Sequence, residues 1–315
     1  MPVGRLTSSS RLFYSFCCKT LLFGLASLIV LLHGCGPAEL SDREKNDLIE
    51  SGVAALEFFD FKKAYEDLSK VRPQLEEGSK QWEEVTYGLA LAAWHTSPPD
   101  GFMVGLATEL FQDLINQGKS PEIIAQVRLD LGRIYEITDF PGDKVNVEKA
   151  QQEFETVMKQ NPGNDYGYQG MLRLAQTYVQ ELDTANAEKA ANLISDYIAR
   201  YPESEWKSVA AQYLGDIYYM YLGDDTKALE AYKIAKAAGF PNKSSMDVYI
   251  WRMGILAERT GKDRDATDYF YEIVTEYPRS VYGTYARDRV AEYVDKHPNS
   301  GVVVPELQQV TSRKK

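Results

Sequence analysis

The sequence predicts an all-α protein, a solenoid of about six stacked helical hairpins followed by a C-terminal capping helix. The main observation is a triplet that recurs at intervals of 38 to 43 residues: an alanine, a bulky residue four positions later and an apolar residue three further on. Residues at i, i+4 and i+7 share one face of an α-helix. The six copies are Ala64-Leu68-Val71, Ala107-Phe111-Leu114, Ala150-Phe154-Val157, Ala190-Ile194-Tyr197, Ala228-Tyr232-Ala235 and Ala266-Phe270-Ile273.

A second motif precedes most of the triplets and predicts the partner helix of each hairpin. A bulky residue is followed by a small one and by a third position three later, and the small residue lets the second helix approach closely. The copies are Leu131-Gly132-Tyr135, Leu174-Ala175-Tyr178, Leu214-Gly215-Tyr218, Met253-Gly254-Ala257 and a weaker Ser51-Gly52-Ala55. A proline follows four of the triplets and predicts the end of the second helix: Pro162, Pro202, Pro241 and Pro278.

Together these motifs resemble the tetratricopeptide repeat, in which bulky-Gly-x-x-Tyr precedes Ala-x-x-x-Phe-x-x-apolar and a proline. The copy from Met253 to Pro278 follows the family spacing without insertion, and other copies have longer turns, such as residues 139–143. A period near 40 also suits HEAT-type repeats, but the glycine, tyrosine and proline positions favour the tetratricopeptide family. The resemblance implies a superhelix of antiparallel helix pairs, in which each pair buries its apolar face against its neighbours.

The N-terminal segment predicts a secretion signal. Three basic residues, Arg5, Arg11 and Lys19, are accompanied by no acidic residue and precede a largely apolar run over residues 20–32. Thirteen residues are fewer than the roughly 20 that a membrane-spanning helix needs, so a signal peptide is favoured over an uncleaved anchor.

The run ends in Leu32-His33-Gly34-Cys35, which resembles the lipobox of bacterial lipoproteins. The resemblance implies that residues 1–34 are removed and that Cys35 carries the lipid, palmitate among its acyl chains. It also implies an outer-membrane location facing the periplasm, because Gly36 stands where an Asp would signal inner-membrane retention. The predicted organisation is a signal peptide (1–34), a lipidated tether (35–44), a repeat domain (45–296) and a flexible tail (297–315).

Composition argues against several functional classes. A net charge of −11 disfavours a nucleic-acid binder, which needs a basic face. All three cysteines lie within the first 35 residues, and His95 and His297 stand in no recognisable motif. No phosphate-binding loop, zinc-protease motif or serine nucleophile motif occurs. We therefore expect no enzyme, no metal site, no cofactor and no small-molecule substrate.

Two of the repeat junctions share the pattern Tyr-Pro-x-Ser-x-aromatic, at residues 201–206 and 277–282, and residues 161–166 are a looser copy. The serine, Ser204 or Ser280, is expected to cap the next helix. These junctions, with the predicted lipid anchor, resemble the BamD/ComL family of outer-membrane assembly lipoproteins. The resemblance implies a membrane-anchored periplasmic scaffold that binds partner proteins in the cell envelope, in outer-membrane protein assembly. The alternative is a binding module for an extended peptide, a wall component or an exported component, in cell division or secretion.

In tetratricopeptide proteins the first helix of each pair lines the concave surface, which predicts a polar and aromatic strip for partner binding. We call these nine residues the inner strip: Arg133, Glu136, Gln176, Gln180, Asp216, Tyr219, Trp251, Glu258 and Arg259.

Overall fold

The computed structural model describes residues 39–180 and 183–307, which form thirteen α-helices and no β-strand. The helices are α1 (Asp42–Glu57), α2 (Phe61–Val71), α3 (Lys80–Trp94), α4 (Gly101–Gln117), α5 (Pro121–Glu136), α6 (Val147–Gln160), α7 (Asp165–Gln180), α8 (Thr184–Arg200), α9 (Lys207–Ile217), α10 (Asp225–Ala238), α11 (Met246–Arg259), α12 (Asp263–Glu276) and α13 (Gly283–Lys296). Short 3-10 turns occupy Arg72–Gln74 and Lys243–Ser245, and a π-helical turn, Tyr218–Leu222, follows α9.

Consecutive helices pair into six hairpins, from α1 with α2 to α11 with α12, and α13 packs against α12. Each hairpin also contacts the next, and the first helices of the first four hairpins contact one another directly, as α1 with α3, α3 with α5 and α5 with α7. The predicted all-α solenoid of six repeats with a capping helix is confirmed.

The core lies between the two helices of each hairpin and continues from one hairpin to the next. Every member of the six sequence triplets is buried, and Phe111, Phe154, Tyr232 and Phe270 are among the largest fully enclosed side chains. Burial of such a side chain contributes about 1.5–3 kcal/mol. The triplets therefore supply much of the apolar area that holds the stack together.

The small residue of the first helix lies directly against the bulky residue of the triplet. A Cβ added at Gly215 would lie 2.5 Å from the Tyr232 ring, and one at Gly52 would lie 2.6 Å from Leu68. Equivalent contacts, tighter still, join Gly132 to Phe154 and Gly254 to Phe270. The two sequence motifs are thus the two sides of one repeated contact.

The junctions between hairpins have a common geometry. Tyr201 and Tyr277 end α8 and α12 with nearly identical backbone angles (φ −124°, ψ 65° and φ −122°, ψ 64°), and a proline follows each. The expected caps differ, because the turn is longer than the sequence suggests. Trp206 and Tyr282 occupy the N-cap positions of α9 and α13, and the preceding serine hydroxyl accepts the backbone N–H of the aromatic residue at 3.2 Å.

The junction aromatic stacks on the hairpin that precedes it. The Trp206 ring lies 4.7 Å from the Tyr168 ring at an interplanar angle of 6°, and the Tyr282 ring lies 5.1 Å from the Trp251 ring at 8°. Offset aromatic pairs of this kind stabilise by about 0.5–1.5 kcal/mol beyond their buried area. These stacks orient the fifth hairpin on the fourth and the capping helix α13 on the sixth.

The chain after α13 returns along the end of the stack. His297-Pro298-Asn299-Ser300 repeats the junction turn, with the Ser300 N–H donating to the His297 carbonyl at 2.9 Å. The Arg287 side chain donates to the Pro305 carbonyl at 3.2 Å, and Pro305 is buried. Residues 297–307 thus have contacts with the repeats, while the flexibility of the whole 297–315 segment stays a prediction.

The predicted signal peptide and the predicted lipid site at Cys35 lie outside the described residues. Within residues 39–180 and 183–307, none of the helices combines the length and the apolar character needed to cross a bilayer.

The glycine contact can be tested with a matched pair of substitutions. We expect Gly254→Ala to lower the free energy of unfolding by about 1–3 kcal/mol, because the Phe270 ring must move. Gly105, an exposed glycine within α4, has no atom within 4 Å of an added Cβ. There, alanine should raise stability by about 0.5–1 kcal/mol. Denaturant unfolding followed by circular dichroism measures both, and equal stability of the two variants would contradict the contact.

Candidate partner-binding face

The nine residues of the inner strip lie on the first helices of four consecutive hairpins. They occupy α5 (Arg133, Glu136), α7 (Gln176, Gln180), α9 and its π-helical extension (Asp216, Tyr219) and α11 (Trp251, Glu258, Arg259). Because consecutive hairpins pack on one another, the first helices that carry the strip follow one another along the stack. They differ in exposure and in partners.

At the N-terminal end of the strip, α5 and α7 are linked by a direct hydrogen bond. Gln180 donates to Glu136 Oε1 at 2.8 Å. Arg133 is exposed, and its guanidinium lies 5.4 Å from the centre of the Trp94 ring on α3. Gln176 is half-buried on α7. This end presents an exposed cation beside an amide and carboxylate pair.

Asp216 forms the centre of a polar and aromatic cluster between α9, α10 and α11. Its Oδ1 accepts hydrogen bonds from the Tyr232 hydroxyl and from Arg252, each at 2.7 Å. The Arg252 guanidinium lies 4.7 Å from the Tyr219 ring centre and 5.3 Å from that of Tyr249. A guanidinium over an aromatic face is stabilised by the ring quadrupole. The cluster thus holds Asp216 and Tyr219 in fixed positions.

Burial determines the electrostatics of this cluster. It raises the pKa of the Asp216 carboxyl above the ordinary value of 3.8, while the hydrogen bond from Tyr232 and the charge of Arg252 favour the ionised form. Burial and the neighbouring carboxylate also raise the pKa of the Tyr232 hydroxyl. The tyrosine therefore stays a neutral donor at physiological pH.

At the C-terminal end, the three strip residues on α11 have different surroundings. The half-buried Trp251 ring contacts the rings of Phe270 on α12 and of Tyr282 at the start of α13. Glu258 lies 3.9 Å from Arg289 on α13, and burial raises the pKa of its carboxyl. Arg259 is exposed and lies 3.8 Å from Asp225.

The structure brings together residues that the sequence did not single out. Arg252 and Tyr249 complete the Asp216 cluster, and a similar link on α3 and α5 joins the Tyr87 hydroxyl to Asp130 at 2.9 Å. The partners Asp216 and Arg252 are 36 residues apart, and Tyr87 and Asp130 are 43 apart. Complementary polar residues separated by one repeat period are the sequence signal that could have identified these links.

His95 and His297 lie far apart in the stack, one in the second hairpin and one at the end of the capping helix. His95 ends α3, its ring stacks 4.6 Å from that of Trp94, and burial lowers the pKa of its imidazole. His297 ends α13 beside the Tyr293 ring. Over residues 39–180 and 183–307, His, Cys, Asp and Glu form no group of three or more that could hold a metal ion.

A family model described as YfiO, outer membrane lipoprotein, matches residues 130–297. The match covers just over half of the chain and extends from α5 to the end of α13, so every residue of the inner strip falls within it. It confirms the resemblance to lipoproteins of this type.

Solved structures give a more distant likeness. The structure of pilF from Pseudomonas aeruginosa is 15% identical, covering 81% of this chain and 98% of that one with a TM-score of 0.44. A thermophilic tetratricopeptide protein from Thermus thermophilus is 16% identical, covering 79% and 98% with a TM-score of 0.31. No protein of curated function matches the sequence significantly. At such values neither structure says what this protein binds.

The Asp216 cluster can be tested by titration. We expect the folded-state pKa of Asp216 to lie above 3.8 and to rise further in Arg252→Met, because the cation that favours the carboxylate is removed while burial remains. A raised folded-state pKa gives stability that is present below pH 3.8 and lost as the pH rises through the folded-state value. Arg252→Met should therefore lose stability toward neutral pH, by about 1–3 kcal/mol.

Carbon-13 NMR of the carboxyl groups measures the pKa, and denaturant unfolding at several pH values measures the stability. Arg259→Met is the matched control, because the exposed Arg259 pairs only loosely with Asp225. An Asp216 pKa that is the same in the wild type and in Arg252→Met would contradict the assigned cluster.

Proposed function

The chain belongs to the YfiO family of outer membrane lipoproteins, and from this membership we propose that it is a lipid-anchored scaffold that binds partner proteins in the periplasm. The observation that carries the proposal is the position of the family match. It covers residues 130–297, the same hairpins that present the inner strip. The part of the chain that resembles the family therefore carries the surface that we assign to partner binding.

The anchor follows from the sequence around Cys35. A lipoprotein Cys carries three acyl chains, more than the two signals that stable membrane attachment requires. Cys35 precedes the first described residue, Glu39, by four positions and the start of α1 by seven. The repeat domain is therefore held close to the membrane surface.

The inner strip has the chemistry of a protein-binding face. Arg133, Gln180 and Arg259 are exposed, and half-buried polar and aromatic groups lie between them. Links between first helices, such as Gln180 with Glu136 and Arg252 with Asp216, hold many of these groups in place before a partner arrives. Such preorganisation reduces the entropy lost on binding an extended peptide or a partner helix.

We propose outer-membrane protein assembly as the process, from the resemblance to the BamD/ComL-type lipoproteins. Binding rather than catalysis is the role that the inner strip supports, since its charged groups are held in pairs and clusters between neighbouring helices. The alternative is a binding module for an extended peptide, a wall component or an exported component. The crosslinking experiment below distinguishes this alternative from a scaffold for partner proteins.

The lipid anchor is tested by metabolic labelling. Cells given radiolabelled palmitate should incorporate label into the wild-type protein, and Cys35→Ser should abolish it because the acylated residue is gone. Cys17→Ser and Cys18→Ser are the matched controls and should leave the mature protein labelled. Label that persists in Cys35→Ser would contradict the assignment.

Partner binding is tested by photo-crosslinking in cells. A photoreactive amino acid at Arg133, Gln180 or Arg259 should capture defined envelope proteins, because these positions are exposed on the inner strip. Gln152 and Asp268, exposed on the second helices α6 and α12, are the controls and should capture few. Capture of only short peptides or glycan would favour the binding-module alternative, and equal capture at all five positions would contradict the strip.

A further inference from the structure

The turns within the first three hairpins expose an unusual set of apolar side chains. Phe58 and Phe59 in the α1–α2 turn are 81% and 78% exposed, and Phe102 at the start of α4 is 76% exposed. Ile137 and Val145, which flank the α5–α6 turn, are also exposed. We call these five residues the turn edge. Exposed apolar groups that cluster in this way mark contact sites with proteins or membranes.

Direct contacts join the three turns that carry the turn edge. The Phe61 ring, beside the first turn, lies 5.1 Å from the His95 ring at the second. The Trp94 indole N–H donates to Asp139 in the third turn at 3.1 Å, and Gly101 packs against the Phe140 ring. The three turns therefore lie side by side.

Phe59 occupies a position that favours glycine. Its φ of 60° is in the left-handed region, which is unfavourable for a residue with a Cβ. The α11–α12 turn has the same geometry with Gly261 at φ 71°, and the two turns make the same backbone hydrogen bonds: Asp60 to Ala55 and Lys262 to Ala257, both at 2.8 Å. Phe59 is thus a strained and exposed aromatic where the same fold elsewhere uses glycine.

The turns of the fifth and sixth hairpins carry no exposed phenylalanine, although Met220 in the π-helical turn of the fifth is 58% exposed. The chain between α9 with its π-helical extension and α10 is Gly223-Asp224, and the α11–α12 turn is Thr260-Gly261-Lys262. Among the described residues, the exposed phenylalanines therefore lie in the first two hairpins. They also precede residue 130, where the family match begins.

The reach of the tether allows the turn edge to meet the membrane. The seven residues from Cys35 to Ser41, joined by six Cα–Cα steps, span at most about 20 Å when extended. Helix α1, with 16 residues, is about 24 Å long, and Phe58 and Phe59 lie at its far end. The reach of the tether is close to the length of α1. When α1 is inclined to the membrane, its far end can therefore touch the surface while the lipid at Cys35 remains in the bilayer.

We propose that the turn edge inserts into the lipid interface and gives the anchored solenoid a second membrane contact. The inference rests on the proposed lipid anchoring at Cys35. Phenylalanine side chains on projecting turns suit the boundary between headgroups and acyl chains. The acidic groups at these turns have hydrogen-bond donors within the protein. Asp60 and Asp100 accept the backbone N–H groups of Lys63 and Met103. In the third turn, Asp139 accepts the Trp94 indole N–H and Asp143 accepts the backbone N–H of Lys144.

The tether makes a weak apolar contact effective. Once Cys35 holds the protein on the bilayer, insertion of the turns is an intramolecular step with a high effective concentration of lipid. The second contact would fix the rotation of the solenoid about its anchor. Three Phe side chains would not need to hold the protein on the membrane by themselves.

Depth-dependent quenching tests the proposal in the lipidated protein. The sequence has no cysteine after Cys35, and acylation blocks that thiol, so Phe58→Cys or Phe102→Cys provides one labelling site. The variants are labelled with NBD and reconstituted into phosphatidylethanolamine–phosphatidylglycerol vesicles containing nitroxide-labelled lipid. Quenching should be about twofold or more stronger at both turn-edge positions than at the control positions.

Two controls separate insertion from simple proximity. Lys70→Cys places the label at the other end of the first hairpin, the end at which the tether enters, and Thr260→Cys places it in the turn equivalent to Phe58. Equal quenching at Phe58, Phe102 and Lys70 would overturn the proposal while leaving the lipid anchor in place. Failure of the wild type to float with vesicles would instead refute the anchor.

In that case the mature chain, held on the same vesicles through an N-terminal His-tag and nickel-chelating lipid, still tests the turn edge. Capture of a protein by a photoreactive residue at Phe58 in cells, with no lipid quenching, would overturn the proposal in favour of a protein contact.

A stability measurement separates a structural role from a surface role. Phe59→Gly should raise the melting temperature by about 2 °C, because glycine tolerates the left-handed conformation. When Phe59→Gly is combined with Phe102→Cys, the NBD label at position 102 should be quenched less than in Phe102→Cys alone. A lower melting temperature would show that Phe59 stabilises the fold and would overturn its assignment to the membrane.

Discussion

The contact between a small residue of one helix and the bulky side chain of the next sets the geometry of each hairpin. Gly132, Gly215 and Gly254 leave room for the rings of Phe154, Tyr232 and Phe270, and a side chain at those glycines would have no space. Since each repeat packs only against its neighbours, this local contact recurs along the stack, with Gly52 and Leu68 making it in the first hairpin. The spacing of the helices, and hence the direction of every outward side chain, depends on it.

The surface that we assign to partner binding follows from this regular spacing. Adjacent first helices lie close enough for side chains one repeat apart to meet, as Gln180 meets Glu136 and Arg252 meets Asp216. Stacking of Trp206 on Tyr168 orients the fifth hairpin on the fourth. These links use part of the predicted strip for packing and leave Arg133, Gln180 and Arg259 exposed on it.

Two residues, Asp216 and Phe59, are in environments or conformations that selection for stability alone would disfavour. Asp216 is a half-buried carboxylate whose ionised form depends on Arg252 and Tyr232. Phe59 adopts a left-handed conformation and exposes its ring, although the sixth hairpin makes the same turn with glycine. Departures of this kind are found where a surface serves a function, and here they fall on the two faces that we assign to partner proteins and to the membrane.

The sequence by itself determined the fold class, the number of repeats and the buried residues, because the alanine triplets and glycine motifs record contacts within one hairpin. It also determined the signal-like segment and the candidate lipid site at Cys35. Only the tertiary structure decided which strip residues are exposed, that Trp251 packs beneath Tyr282, and that Arg252 completes the Asp216 cluster. Those outcomes depend on contacts between residues one repeat apart. The number of residues between such partners varies with the length of the turns, and the periodicity within one helix does not specify it.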